Sequence, residues 1–159
     1  MDQDAFRETY REVNECFCVY EKSILTNRCG CSLSERFCIA EREGVECQSS
    51  DAQEQCHDYM ELLKEKSRFV LKALHEGNTL PHGKAMRLQV GGLRGLHALL
   101  YPDELVPVVV TDAHGVIDGC REKFGTIEEI PFQEVIHQVS LYQEKKRSKR
   151  KRNKSEEEE

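Results

Sequence analysis

The sequence predicts a mostly α protein: a small helical domain with at most two short strands, a cysteine-rich N-terminal part and a disordered, charged C-terminal tail. Three observations carry this. Apolar residues recur at helical spacing along most of the 159-residue chain, seven of the eight cysteines fall between Cys16 and Cys56, and the last fifteen positions are almost all charged.

Phe6, Tyr10, Val13 and Phe17 recur at spacings of four, three and four, which predicts a first helix. Tyr20 and Ile24 extend the same stripe. Ser32 and Glu35 fit a capping box in Ser32-Leu33-Ser34-Glu35, predicting a second helix to about Glu43 with Gly44 at its C′ position. Ser49, Ser50 and Asp51 offer the next N-cap. From there Met60, Leu63, Val70, Leu71 and Leu74 mark a long amphipathic helix that ends near Gly77 and Asn78.

The middle reads as less helical. Met86, Leu88 and Val90 alternate with Arg87 and Gln89, the pattern of a short strand broken by Gly91 and Gly92. Leu93, Leu96, Leu99 and Leu100 then predict a helix. Val106 to Val110 is the second strand candidate, placed at an edge or a strand start by Pro107. Asp112 caps a helix carrying Val116, Ile117, Cys120 and Phe124, closed by Gly125. Thr126 to Glu129 has the form of another capping box. Phe132, Val135, Ile136, Val139 and Tyr142 complete a last amphipathic helix.

The chain divides into a cysteine-rich region (1–60), a helical remainder of the same domain (61–143) and a basic-then-acidic tail (144–159). Hydrophobic residues make up 38% of it and Trp is absent, so the core is lean and a metal or crosslink would add to its stability. The net charge of −6 hides a division: Lys145 to Lys154 carries eight basic residues and Glu156 to Glu159 four acids, leaving residues 1–144 at −10. The acidic, polar start has no secretory pattern, and no apolar run reaches the roughly 18 residues of a membrane span. The expectation is a soluble, cytoplasmic protein, or a nuclear one if the source cell has a nucleus, in which thiols stay reduced.

In a reducing compartment a cysteine cluster points to metal rather than to a disulfide framework. Cys16, Cys18, Cys29, Cys31, Cys38, Cys47 and Cys56 are the candidate ligands, for an iron–sulfur cluster or zinc. Two groupings are compatible with the predicted helices. One joins Cys16, Cys18, Cys29 and Cys31, with Cys38, Cys47 and Cys56 as a second site. The other draws a single site from Cys29, Cys31, Cys38, Cys47 and Cys56. A C-x-C pair on a regular helix cannot aim both thiols at one centre, so Cys16 and Cys18 join only if the first helix has already ended. His57 is a further donor beside Cys56, poorly placed because adjacent helical residues point about 100° apart. Cys120 lies on an apolar stripe and reads as core.

Other features are less directive. Gly91 to Gly95, with Lys84, Arg87 and Arg94 nearby, admits a phosphate-cradling turn, but lacks the Walker pattern and reads more simply as close helix packing. His114 with Asp112 and Asp118 forms a polar cluster. No nucleophile–base arrangement stands out, which leans away from an enzyme. The expected role is an intracellular metal-binding protein with a structural, regulatory or redox task. Two alternatives remain: an adaptor holding RNA, DNA or an acidic protein through Lys145–Lys154, its metal merely structural, and a thiol–disulfide redox sensor.

Overall fold

A computed structural model describes residues 16–71 and 82–142. The predicted first-helix residues Phe6, Tyr10 and Val13, the helix end near Gly77 and Asn78, and the charged tail lie outside the described residues.

Helices dominate, as the periodicity predicts, but the first third is built differently. Helix α1 is short, Glu21–Leu25. Strands β1 (Ser34–Ile39) and β2 (Arg42–Cys47) form an antiparallel hairpin, with Ser34 opposite Cys47 and Ile39 opposite Arg42. The hairpin replaces the helix expected from Ser32 to Glu43. Its two-residue turn, Ala40 and Glu41, holds both φ angles positive (49° and 69°), which is the backbone twist a tight hairpin needs. The residues of the expected capping box take other partners: Ser34 Oγ donates to the Cys31 carbonyl at 2.8 Å, and Gln48 Nε2 donates to Glu35 at 3.1 Å. Gly44 is not a helix terminator either. It lies on β2 beneath the Phe37 ring, where a Cβ would collide with the ring.

The stretch before α1 is also extended. Phe17 pairs antiparallel with Glu46, Cys18 N–H donates to the Val45 carbonyl (3.0 Å) and Cys47 N–H to the Cys16 carbonyl (2.7 Å). The expected helical stripe therefore does not run through Phe17, and the C-x-C pair lies on a strand-like segment against β2.

Helix α2 (Ser50–Lys66) is the long helix, capped by Ser49, whose Oγ accepts from Ala52 N–H at 3.2 Å. A break at Ser67 separates it from α3 (Arg68–Leu71). The expected strand at Met86–Val90 is helical: α4 (His82–Met86) runs through a π segment (Arg87–Gly91) into α5 (Gly92–Leu100) without leaving helical backbone angles at Met86, Gly91 or Gly92. The widened turn carries Gln89 inward, where its Oε1 accepts from Ser23 Oγ at 2.6 Å and tethers α1. Gly91 and Gly95, one turn apart, let α5 lie against α7 (Phe132–Leu141): a Cβ at either would stand 2.7 or 2.6 Å from the Cα of Val139 or Val135. The glycine segment is thus a packing surface inside a helix and forms no turn for a phosphate.

Val106 to Val110 is irregular apart from one parallel bridge between Val110 and Cys29, with Val108 and Val109 exposed. Helix α6 (Ala113–Phe124) follows with Asp112 at its N-cap position and Gly125 (φ 96°) closing it, both as predicted. Thr126 leads into a single 3₁₀ turn, Ile127–Glu129, before α7. The core joins Tyr20, Ile24 and Val45 to Tyr59, Leu63, Leu93, Leu96, Ile117, Val135 and Val139, so hairpin and helices share one apolar interior. Among the described residues, no helix is long and apolar enough to cross a membrane.

Candidate metal centre

Four of the seven clustered cysteines come from four different parts of the fold. Cys18 sits on the extended segment before α1, Cys31 in the loop before β1, Cys47 at the end of β2, and Cys56 one turn and a half into α2. All four line one cavity beneath the hairpin, closed by Val19, Tyr20, Ala52 and Ala113 and edged by Ser34, Gln53 and His114. The space left open between these walls is only about 10 Å³. Successive residues of a strand point to opposite faces, so Cys16 and Cys18 flank Phe17 on one side of the ribbon, the side shared by Cys47 opposite Cys16. The extended backbone thus removes the difficulty that a C-x-C pair meets on a helix.

The other three candidates stand apart from the cavity wall. Cys29 is buried in the core beside it, tied by its bridge to Val110. Cys16 is at the ribbon's edge, its Sγ donating to the Ser49 carbonyl at 3.8 Å. Cys38 is exposed on β1. Neither grouping expected from the sequence is the one assembled: the cavity takes Cys18 and Cys31 from one and Cys47 and Cys56 from the other. His57 faces solvent beside Asp58 and Glu61. Cys120 is fully buried in the helical core, its Sγ 3.5 Å from the Leu96 carbonyl.

Burial favours the protonated form of Cys18, Cys31 and Cys56 in the cavity wall. Burial pushes Cys18 and Cys29 up to about 12 and Cys56 higher still, and neighbouring thiols add to each shift. Cys31 is raised by burial too, but main-chain N–H groups of Leu33 and His114 aim at its sulfur and pull the other way. The Tyr20 N–H does the same for Cys18. Such N–H···S contacts favour a thiolate and recur where sulfur ligates metal. The first turn of α6 supplies the His114 N–H, so the partial positive charge of a helix N-terminus faces Cys31.

Asp112 anchors this corner. Burial works against its carboxylate, but hydrogen bonds from the Ser32 and Gly115 main chains, and from the Ser32 hydroxyl, hold its pKa below the usual range. Ser32 N–H and Oγ each reach Oδ1 at 3.0 Å, which pins the Cys31 loop to α6.

Two wall residues have unsatisfied atoms. Tyr20 Oη and His114 Nδ1 are shielded from water and lack a hydrogen-bond partner among the described residues. An orphaned buried polar group costs roughly 1–3 kcal/mol; Ser67 Oγ, Arg94 Nε, His97 Nδ1 and Tyr142 Oη, away from this cavity, are in the same state. Sequence spacing singled out His114 only as part of a polar cluster with Asp112 and Asp118. It gave no sign of Tyr20 as a wall residue, because a tyrosine on an apolar stripe reads as core.

Among the described residues, no three Cys, His, Asp or Glu side chains converge closely enough to hold a single ion. Comparisons with protein-family models, curated proteins and solved structures found no match for the chain.

Proposed function

We propose that this is a cysteine-ligated metal-binding protein in which Cys18, Cys31, Cys47 and Cys56 hold an iron–sulfur cluster, with a structural, regulatory or redox role rather than catalytic turnover. One observation carries the reading: four sequence-distant thiols line a single cavity. Core packing alone gives no reason for four separate segments to deliver sulfur to the same small space.

The number of clustered cysteines, seven between Cys16 and Cys56, exceeds what one zinc uses and favours a cluster over zinc. Four thiolates on one zinc lie about 2.3 Å from the ion, hence about 3.8 Å from each other by tetrahedral geometry. In a [4Fe–4S] cluster each thiolate binds a different iron, so the sulfurs stand farther apart around a shared core. The cavity's apolar cover also suits a cluster, since it limits access of water and oxidants. When bound, the cluster would supply a one-electron redox centre or a rigid crosslink of the four segments. The protein's own part is to aim the Leu33, His114 and Tyr20 amides at the ligand sulfurs and to keep the pocket dry.

The test is anaerobic purification followed by metal and acid-labile sulfide analysis and a visible spectrum. The expected result is a brown protein with iron and sulfide in equal amounts. A colourless, metal-free and folded protein would overturn the proposal, and one zinc per chain without sulfide would replace the cluster by zinc.

A further inference from the structure

We infer that Cys16 and Cys47 are a cross-strand thiol pair that closes to a reversible disulfide when the protein meets a peroxide. The pairing of Phe17 with Glu46 sets the register and places Cys16 directly opposite Cys47, whose N–H donates to the Cys16 carbonyl at 2.7 Å. Residues directly opposite in an antiparallel pair have Cα atoms about 4.5–5.5 Å apart, with both side chains on one face. Disulfides span about 4.4–6.8 Å between Cα atoms, so the Cα separation of a directly opposed pair lies within reach. The two thiols also share an acceptor: Cys16 Sγ lies 3.8 Å and Cys47 Sγ 3.2 Å from the same Ser49 carbonyl oxygen. Both residues are partly exposed, whereas Cys29, Cys56 and Cys120 are buried, so a small oxidant reaches this pair before those three.

The chemistry balances with one peroxide. A thiolate of the pair attacks the peroxide, breaking the O–O bond, forming a sulfenic acid and releasing one water once protonated. The second sulfur then attacks the sulfenic sulfur, forms the S–S bond and expels the second water. Two electrons pass from the sulfurs to the peroxide oxygens. A low-molecular-weight thiol returns the pair to its reduced state by exchange.

The pairing has a consequence that rests on the proposed metal centre. Cys47 is one of the four cavity thiols, so it cannot both ligate and cross-link. Oxidation of the pair leaves three cavity thiols and releases the metal, and a bound metal slows the oxidation.

The test uses the full chain, first reduced and stripped of metal with a chelator, then treated with one equivalent of hydrogen peroxide. The expected result is two fewer free thiols than the eight of the reduced chain, a loss of two hydrogens in mass, a linkage mapped by tandem mass spectrometry to Cys16 and Cys47, and full reversal by dithiothreitol. Cys16→Ser and Cys47→Ser should each abolish the linkage, while Cys38→Ser retains it. A linkage mapped to another pair, or thiol loss to sulfinic acid without a crosslink, would overturn the inference. The wild-type map decides even where a serine variant folds poorly. Repeating the treatment on iron- and sulfide-reconstituted protein separates the two readings. Failure to take up metal counts against the proposed centre alone, because the mapped disulfide stands without it. Metal uptake followed by disulfide formation with no metal release would remove Cys47 from the ligand set.

Discussion

A thiol's place in the fold decides its chemistry here more than its place in the sequence. Cys31 lies in the cavity wall with two main-chain amides aimed at it, while Cys38, seven residues later, points to solvent on β1. Replacing Cys31 by serine should reduce the metal held per chain at least severalfold, and Cys38→Ser should leave it unchanged. Metal analysis of the two purified variants checks this, and an equal loss in both would argue against the cavity as the site. Cys120 shows the other fate of a thiol. Burial raises its pKa from 9.0 to about 11. The unfolded chain releases this proton near pH 9 and the native chain keeps it to about pH 11, so across that window the unfolded state binds fewer protons and stability falls as pH rises. Urea midpoints of reduced, metal-free protein should drop between pH 9 and 11. The drop should be smaller in Cys120→Ala, with the half-buried Cys18 and the buried Cys29 continuing the trend toward pH 12. That Cys120 is core was legible in the sequence, because an apolar helical stripe surrounds it. Which of the clustered thiols share a cavity was not, since that depends on a strand register that spacing does not encode.

At the scale of elements, periodicity identified the helices that are amphipathic over many turns and failed where pairing partners decide. Helices α2, α5, α6 and α7 follow the apolar spacing, and Asp112 and Gly125 bound α6 as their chemistry predicts. The hairpin was missed because Ser32 and Glu35 mimic a capping box, while the turn at Ala40 and Glu41 uses positive φ without the glycine or asparagine that usually announces it. The reverse error occurred at Met86–Val90. There a short alternation has no strand to pair with among the described residues, and a π turn absorbs it into a helix. Gly91 and Gly95 look like turn residues in isolation, yet their role is the close approach of α5 and α7. Gly95→Ala would set a methyl 2.6 Å from the Val135 Cα, with main chain that cannot swing aside. Overpacking of this kind costs about 1–3 kcal/mol, less the roughly 0.5–1 kcal/mol that alanine gains over glycine in a helix. A lower urea midpoint for Gly95→Ala is expected, and an unchanged one would mean that α5 and α7 separate without cost.

At the scale of the molecule, a lean core and a sulfur-lined cavity belong together. The hairpin is a two-stranded unit of a kind that is marginal alone. It is held to the helices by Val45 in the shared core and by the loop pinned through Ser32 and Asp112, while the Ser23–Gln89 contact tethers α1. A metal centre bridging Cys18, Cys31, Cys47 and Cys56 would fasten all four of the segments that meet there, and binding only the folded chain it would add to stability. The measurement that bears most directly on this is X-ray absorption at the edge of the metal in anaerobically purified protein. A first shell made wholly of sulfur, with a second metal just beyond it, is the predicted result. A shell dominated by nitrogen and oxygen, or no metal to measure in a folded protein, would contradict it.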